Sequence, residues 1–150
     1  MGTVVGTPTV RSPVSMFRFE VDGIDVHATK VSAPKIMLNI IETMEGGDQE
    51  TTDHTTNGVK PENITVERPL TTDDLFDLWA AAVRVGEQDK RLCSIFALNP
   101  EGEDIYRWEL VDCLVVSHAI TDFDGSTKDQ EQKEIVEIKP RVIRGREKLI

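Results

Sequence analysis

Apolar and polar residues alternate along most of this chain with the two-residue period of a pleated strand. Phe17, Phe19 and Val21 point one way, with Arg18 and Glu20 opposite, and Asp22-Gly23 separates the run Val14–Val21 from the run Ile24–Ser32. Asp-Gly suits a two-residue turn because both positions tolerate positive φ, so this segment predicts a hairpin. Pro34 precedes another extended run, Ile36–Ile41, and a long polar loop at 42–61, rich in Gly, Asp and Thr, leads to the next strand. There Ile64, Val66 and Arg68 alternate with Thr65 and Glu67 until Pro69 withdraws a backbone donor and halts the ladder. Arg91–Leu98 and Asp104–Val116 are β-rich runs joined by Asn99-Pro100-Glu101-Gly102, which predicts a second hairpin. Asp122–Gln130 reads as a loop, and Glu134–Lys139 as a last strand ended by Pro140.

One stretch changes period. After Pro69, Thr71 or Thr72 can accept from the free amides of a first helical turn, and Asp73, Asp74 and Asp77 place negative charge at the positive end of the helix dipole. Leu75, Leu78, Trp79 and Ala82 recur at three-and-four spacing and predict a single apolar stripe that must pack on something. The fold class expected is mainly β: an antiparallel barrel or sandwich of about six or seven strands with one flanking α-helix.

A chain of 150 residues with 39% hydrophobic side chains suits one domain spanning 1–150, with an N-terminal arm at 1–13 and a basic C-terminal tail at 141–150. No apolar run approaches the roughly 20 residues of a membrane span, and Met1–Val14 lacks the charged and apolar regions of a signal peptide. Synthesis and folding in a bacterial cytoplasm, without a membrane anchor, are therefore expected. Net charge is −10, which disfavours non-specific nucleic-acid binding. The charge is uneven. Glu42, Glu45, Asp48, Glu50 and Asp53 fall in a stretch without Lys or Arg, whereas Arg141, Arg144, Arg146 and Lys148 face a single Glu147. These segments can attract each other between copies or remain solvated.

Candidate chemistry is sparse. If the Asn99–Gly102 turn sets the register, Cys93 faces Trp108, and Cys113 lies too far along for a disulfide; both thiols read as core residues. His27, His54 and His118 have no partners at metal-ligand spacing. Asp122-Phe123-Asp124-Gly125 resembles a calcium loop only in part, because its Gly comes early and Lys133 stands where the bidentate Glu is needed. No phosphate-binding glycine loop or nucleophile elbow is present, and Trp79 and Trp108 read as core anchors. No catalytic residue, metal or cofactor is expected, and the chain is not expected to be an enzyme.

Several two-faced strands on an acidic subunit leave sheet edges to be protected, and pairing with an identical neighbour is one solution. Head-to-tail pairing that closes by rotation makes a ring, and rings with complementary ends stack. The order of motifs resembles the tail tube protein family of contractile phages and related injection systems. The matching residues are Phe17–Gly23, Glu45-Gly46-Gly47-Asp48, Asn63–Arg68 with Leu70, Thr71–Trp79, and Arg107-Trp108, within about Ser15 to Lys139.

That resemblance implies a β-barrel-like subunit in stacked homohexameric rings, forming the rigid inner tube of a contractile tail, as a virion tail or as an extracellular or cytoplasmic injection system. Sheath, baseplate and tube-terminating proteins would be its partners, and DNA or effector cargo would pass through the lumen, whose wall the net charge suggests is acidic. Glu42, Glu45, Asp48, Glu50 and Asp53 would belong to a ring-stacking loop. Ile64, Val66, Arg68, Ile135, Glu137 and Lys139 would lie on inter-subunit strands. The alternatives are an adaptor ring or a secreted type VI-like tube protein, distinguished by assembly length, and a soluble monomeric binding domain, distinguished by sedimentation.

Overall fold

A computed structural model of the chain describes residues 9–44 and 52–150. Along them run β1 (Phe17–Val21), β2 (Ile24–Asp25), β3 (Lys30–Val31), β4 (Ile36–Met44), β5 (Thr52–Pro61), β6 (Ile64–Pro69), α1 (Leu75–Arg84), β7 (Arg91–Leu98), β8 (Asp104–Ile120), β9 (Lys133–Lys139) and β10 (Val142–Lys148). The class is the expected one, mainly β and antiparallel with one helix, but the strands are more numerous than the alternation predicts.

Eight strands form one antiparallel sheet in the order β2-β1-β7-β8-β9-β6-β3, with β10 also on β8. The organising element is β8, 17 residues long. Its first half is flanked by β7 and β10, and its second half by β9. Strands β9 and β10 follow β8 as one line broken at Pro140, with Lys139 opposite Leu114 and Val142 opposite Val111. At the same level Asp112 adopts φ 52°, an irregularity that bends the strand. The two halves of the sheet therefore share one core: Phe19 and Val21 from one wing meet Ile64, Val66, Val136 and Ile138 from the other, around Leu110, Cys113 and Val115. The sheet folds over itself like a sandwich without closing, since its terminal strands, β2 and β3, do not pair with each other.

The turn chemistry read from sequence is present. Asp22 and Gly23 have φ of 51° and 81° and bring Val21 opposite Ile24. Gly102, at φ 87°, closes the second hairpin by donating to the Asn99 carbonyl, while the Asn99 side chain accepts from Glu103 N at 2.7 Å. Three expectations need correction. The run Ile24–Ser32 is not one strand, because His27 turns at φ 55° with its amide bonded to Asp25 Oδ1, leaving the short β2 and β3. The supposed long loop at 42–61 is mostly the second arm of a hairpin: β4 and β5 pair from Ile36↔Pro61 to Met44↔Thr52, consistent with the β-branched Thr and Val content of β5. The basic tail is also strand, since β10 pairs with β8 from Val142↔Val111 to Lys148↔Tyr106.

Helix α1 begins at an Asp turn. Asp73 Oδ1 accepts from Leu75 N at 3.0 Å and Thr71 Oγ1 from Asp73 N at 3.2 Å, while the N-cap residue itself, Asp74, makes no side-chain capping bond. It ends in a Schellman motif: Gly86, at φ 88°, donates to Val83 O, and Glu87 N to Ala82 O. The buried stripe is Phe76, Trp79 and Ala80, with Leu75 and Val83 packed beside it. Trp79 is where expected and Ala82 is half-buried, but Leu78 points away and is 58% exposed. Two aromatic rings carry more apolar area than Leu, so they set the helix's rotation about its axis.

Candidate assembly surfaces

Strands β6 and β9 hold the expected inter-subunit residues. Their register, Ile64↔Ile138, Val66↔Val136 and Arg68↔Glu134, puts these six side chains on the inward face. Ile135 does not share a face with Ile138. It lies with Glu137 on the outer face, as a two-residue period demands, and Glu134 is an inward residue. Both strands are internal to the sheet: β9 lies between β8 and β6, and β6 between β9 and β3. Segment 29–32 also takes β6 carbonyls, with Thr29 N donating to Glu67 O and Ser32 N to Thr65 O. Their backbone groups are thus largely used within the subunit.

Open edges lie elsewhere. Among the described residues β10 pairs along one side only, with β8, and the Leu114–Ile120 half of β8 pairs only with β9. The outer face of the first wing is ion-paired rather than apolar. Arg18 grips Asp104 through two bonds of 2.8 and 2.9 Å and reaches Glu20 at 2.6 Å, while Arg107 pairs with Glu147 and Arg144 with Glu109 at 2.8 Å. Such a face resists burial in a core and tolerates water.

Under the start of α1 sits a polar network that sequence reasoning assembled only in part. Arg68 and Glu134 are each 3% exposed, and Arg68 Nε donates to Glu134 Oε1 at 2.7 Å. Glu134 Oε2 meets His118 Nε2 at 2.9 Å. Arg68 also reaches Asp73 Oδ2 at 3.3 Å and Asp73 O at 3.1 Å, and its guanidinium stacks over Phe76 at 4.6 Å. The Leu75 amide, and then Arg68, hold the Asp73 carboxyl below its ordinary range. The network ties β6, β8, β9 and the helix start together without forming a nucleophile or a metal set; no group of three candidate ligands exists among the described residues. Its signal in the sequence was parity: Arg68 and Glu134 fall in step with the buried Ile64, Val66, Val136 and Ile138.

The thiols are closer than the turn-based register implied. Irregularities in β7 and β8 shift the pairing, so Cys93 faces Leu110 and Cys113 faces Arg91. Both cysteines are fully buried and unbridged, and Cys113 Sγ donates to Leu110 O at 3.2 Å. A hydrogen bond with Cys113, and then burial, push the Cys93 thiol upward. In a thiol-reagent titration neither is expected to react in the native state and both on unfolding; a fast native reaction would contradict their burial.

A depression of about 800 Å³ beside the β8–β9 loop is lined by Thr29, Pro69, Phe123, Asp124 and Lys133, among others. The Asp124 carboxylate is occupied by the loop itself, accepting from Ser126 N and Oγ at 2.9 and 2.6 Å and from Thr127 Oγ1 at 3.2 Å, which lowers its pKa. Of the expected stacking residues, Glu42 and Asp53 lie on β4 and β5, opposite His54 and Thr43, whereas Glu45, Asp48 and Glu50 lie outside the described residues. No helix among the described residues is long and apolar enough to cross a membrane.

The same architecture occurs in solved contractile assemblies. A chain in the baseplate of the anti-feeding prophage aligns with TM-score 0.72 at 20% identity, covering 93% of this chain and 96% of that one. A chain of that prophage's tube-terminating cap aligns with TM-score 0.81 at 18% identity, covering 99% and 97%. One in the sheath–tube complex of the extracellular contractile injection system PVC, in its extended state, aligns with TM-score 0.80 at 19% identity, covering 93% of each. No curated protein matches by sequence. The family model of the T4-like virus tail tube protein gp19 matches residues 14–139. The chain belongs to that family of tail tube proteins, structural subunits of contractile tails and their relatives rather than enzymes.

Proposed function

We propose that this chain assembles into homohexameric rings that stack into the rigid inner tube of a contractile tail or injection system. The observation that carries the reading is the pair of open edges in the main sheet, β10 and the second half of β8, in a sheet whose β1, β6, β7 and β9 have neighbours on both sides. Each copy then adds strands to its neighbour's sheet, and closure by rotation removes the edges. Strands β6 and β9 supply the body of each subunit's share of the ring, not its lateral seam. The β4–β5 hairpin, a two-stranded sheet separate from the main one, bridges one ring to the next.

Assembly on a baseplate, enclosure by a sheath and capping by a terminator are parts of this reading, supported by the assemblies in which the similar chains sit. Sheath contraction would drive the tube through a target envelope, and the lumen would conduct DNA or effector cargo.

Negative-stain imaging and sedimentation of the purified chain test this. The intact chain is expected to form tubes, and deletion of residues 43–57 to leave folded rings that do not elongate. A stable monomer at high concentration, or long tubes from the deleted chain, would count against the reading.

A further inference from the structure

We infer that Phe123 is an aromatic anchor that seats in an apolar cleft of a neighbouring copy of this chain, between β3 and the start of β1. The inference rests on the tube reading in taking a second copy as the partner. The sequence has five Phe, two Trp and one Tyr, all among the described residues. Of these only Phe123 is exposed, at 79%. A single apolar residue on a surface is ordinary. What sets Phe123 apart is a loop that holds it out and a cleft that fits it.

The two residues beside Phe123 are both tied down. Gln132 Nε2 donates to Asp122 O at 3.3 Å, and the Asp124 carboxylate accepts from Ser126 N, Ser126 Oγ and Thr127 Oγ1. The base of the loop is closed by Thr121 N donating to Lys133 O and Lys133 N to Thr121 Oγ1, each at 3.1 Å. An aromatic side chain on a braced backbone gives up little freedom when it docks.

The cleft, about 500 Å³, is lined by Val14, Phe17, Val31, Pro34 and Ile95, with Lys30 in its wall. Val14 is 98% exposed, so the two most exposed large apolar side chains among the described residues are one from this cleft and the anchor itself. Phe123 does not line the cleft of its own subunit; it borders the separate depression beside the β8–β9 loop. Charge agrees with the fit. Asp122 and Asp124 flank the anchor, whereas Lys30 and Lys35 flank the cleft, and the carboxylates nearest them in their own subunit, Glu67 and Glu62, stand at 3.7 and 3.8 Å, beyond hydrogen-bond reach. An apolar centre with a rim of opposed charges is the arrangement of an interface hot spot. Anchor and cleft are different surfaces, so the contact is head-to-tail, the kind from which rings and stacks are built.

Cross-linking between copies tests this. One chain carries Asp122→Cys and the other Lys30→Cys; the native Cys93 and Cys113 are fully buried. Mixed and oxidised mildly with copper–phenanthroline in air, they are expected to give a disulfide-linked pair holding one chain of each kind. Adding Phe123→Ser to the first chain should lower that yield about tenfold, and Phe123→Leu in its place should retain most of it. Because Phe123 is exposed, Phe123→Ser should leave the urea midpoint of the chain unchanged, which separates a lost contact from a lost fold.

No linked pair from chains that do assemble, or a yield indifferent to Phe123→Ser, would overturn the anchor while leaving the tube reading intact. A wild-type chain that sediments as a monomer at high concentration would defeat both.

Discussion

Arg68→Ala should destabilise the subunit by about 3–5 kcal/mol, because it leaves the Glu134 carboxylate buried without its cation. Arg68 is not interchangeable with a surface arginine. It donates to Glu134 at 2.7 Å, holds Asp73 at the helix start at 3.1 and 3.3 Å, and covers Phe76 at 4.6 Å, all at 3% exposure. Loss of the guanidinium therefore removes one ion pair, one tie to the helix and an aromatic contact together. His118 remains as the nearby side-chain partner of Glu134, at 2.9 Å. Urea unfolding of the 43–57 deletion variant, with and without Arg68→Ala at one protein concentration, measures the effect free of tube elongation. The double replacement Arg68→Met with Glu134→Leu should cost less than Arg68→Ala, since no charge is then stranded. A loss below about 1 kcal/mol for Arg68→Ala would show the pair to be solvated.

Trp79→Ala should cost a similar amount, about 3–5 kcal/mol, by opening a large cavity between the helix and the sheet. The Trp79 side chain is fully buried, stacks on Phe76 at 6.4 Å with an interplanar angle of 19°, and donates from Nε1 to the Asp89 carbonyl at 2.7 Å. Trp79→Phe keeps much of the apolar volume but orphans that carbonyl, so an intermediate cost of about 1–3 kcal/mol is expected. The adjacent Leu78→Ala is the control, because Leu78 is 58% exposed and its loss should lie within about 0.5 kcal/mol of the parent. Equal costs at positions 78 and 79 would mean that the helix turns a different face to the sheet.

These two sites show how local pattern and tertiary packing divide the work. The three-and-four spacing identified a helix at its correct place and found Trp79, but periodicity alone could not choose between the neighbouring stripe containing Leu78 and the one containing Phe76. Ring area against the sheet made that choice. Alternation placed Arg68 among the inward residues of its strand, yet linking it to Glu134 required the β6–β9 register, which no turn connects directly.

The hairpin turns were legible because Asp22-Gly23 and Asn99–Gly102 specify their backbone shapes within a few residues. The distance between Cys93 and Cys113 was not, because strand irregularities accumulate a shift that the turn residues do not record. Strand β10 was hidden by its charge: Arg144 and Arg146 read as a solvated tail, and only the long edge of β8 gives that segment a ladder to join.

By itself the amino-acid order determined the mainly antiparallel class, both tight turns, the helix and the opposed acidic and basic segments, since each depends on side chains and backbone preferences of near neighbours. Tertiary structure alone decided the helix's buried face, the Arg68–Glu134 bond, the proximity of the thiols and the edges left open, because each depends on which distant strands lie side by side.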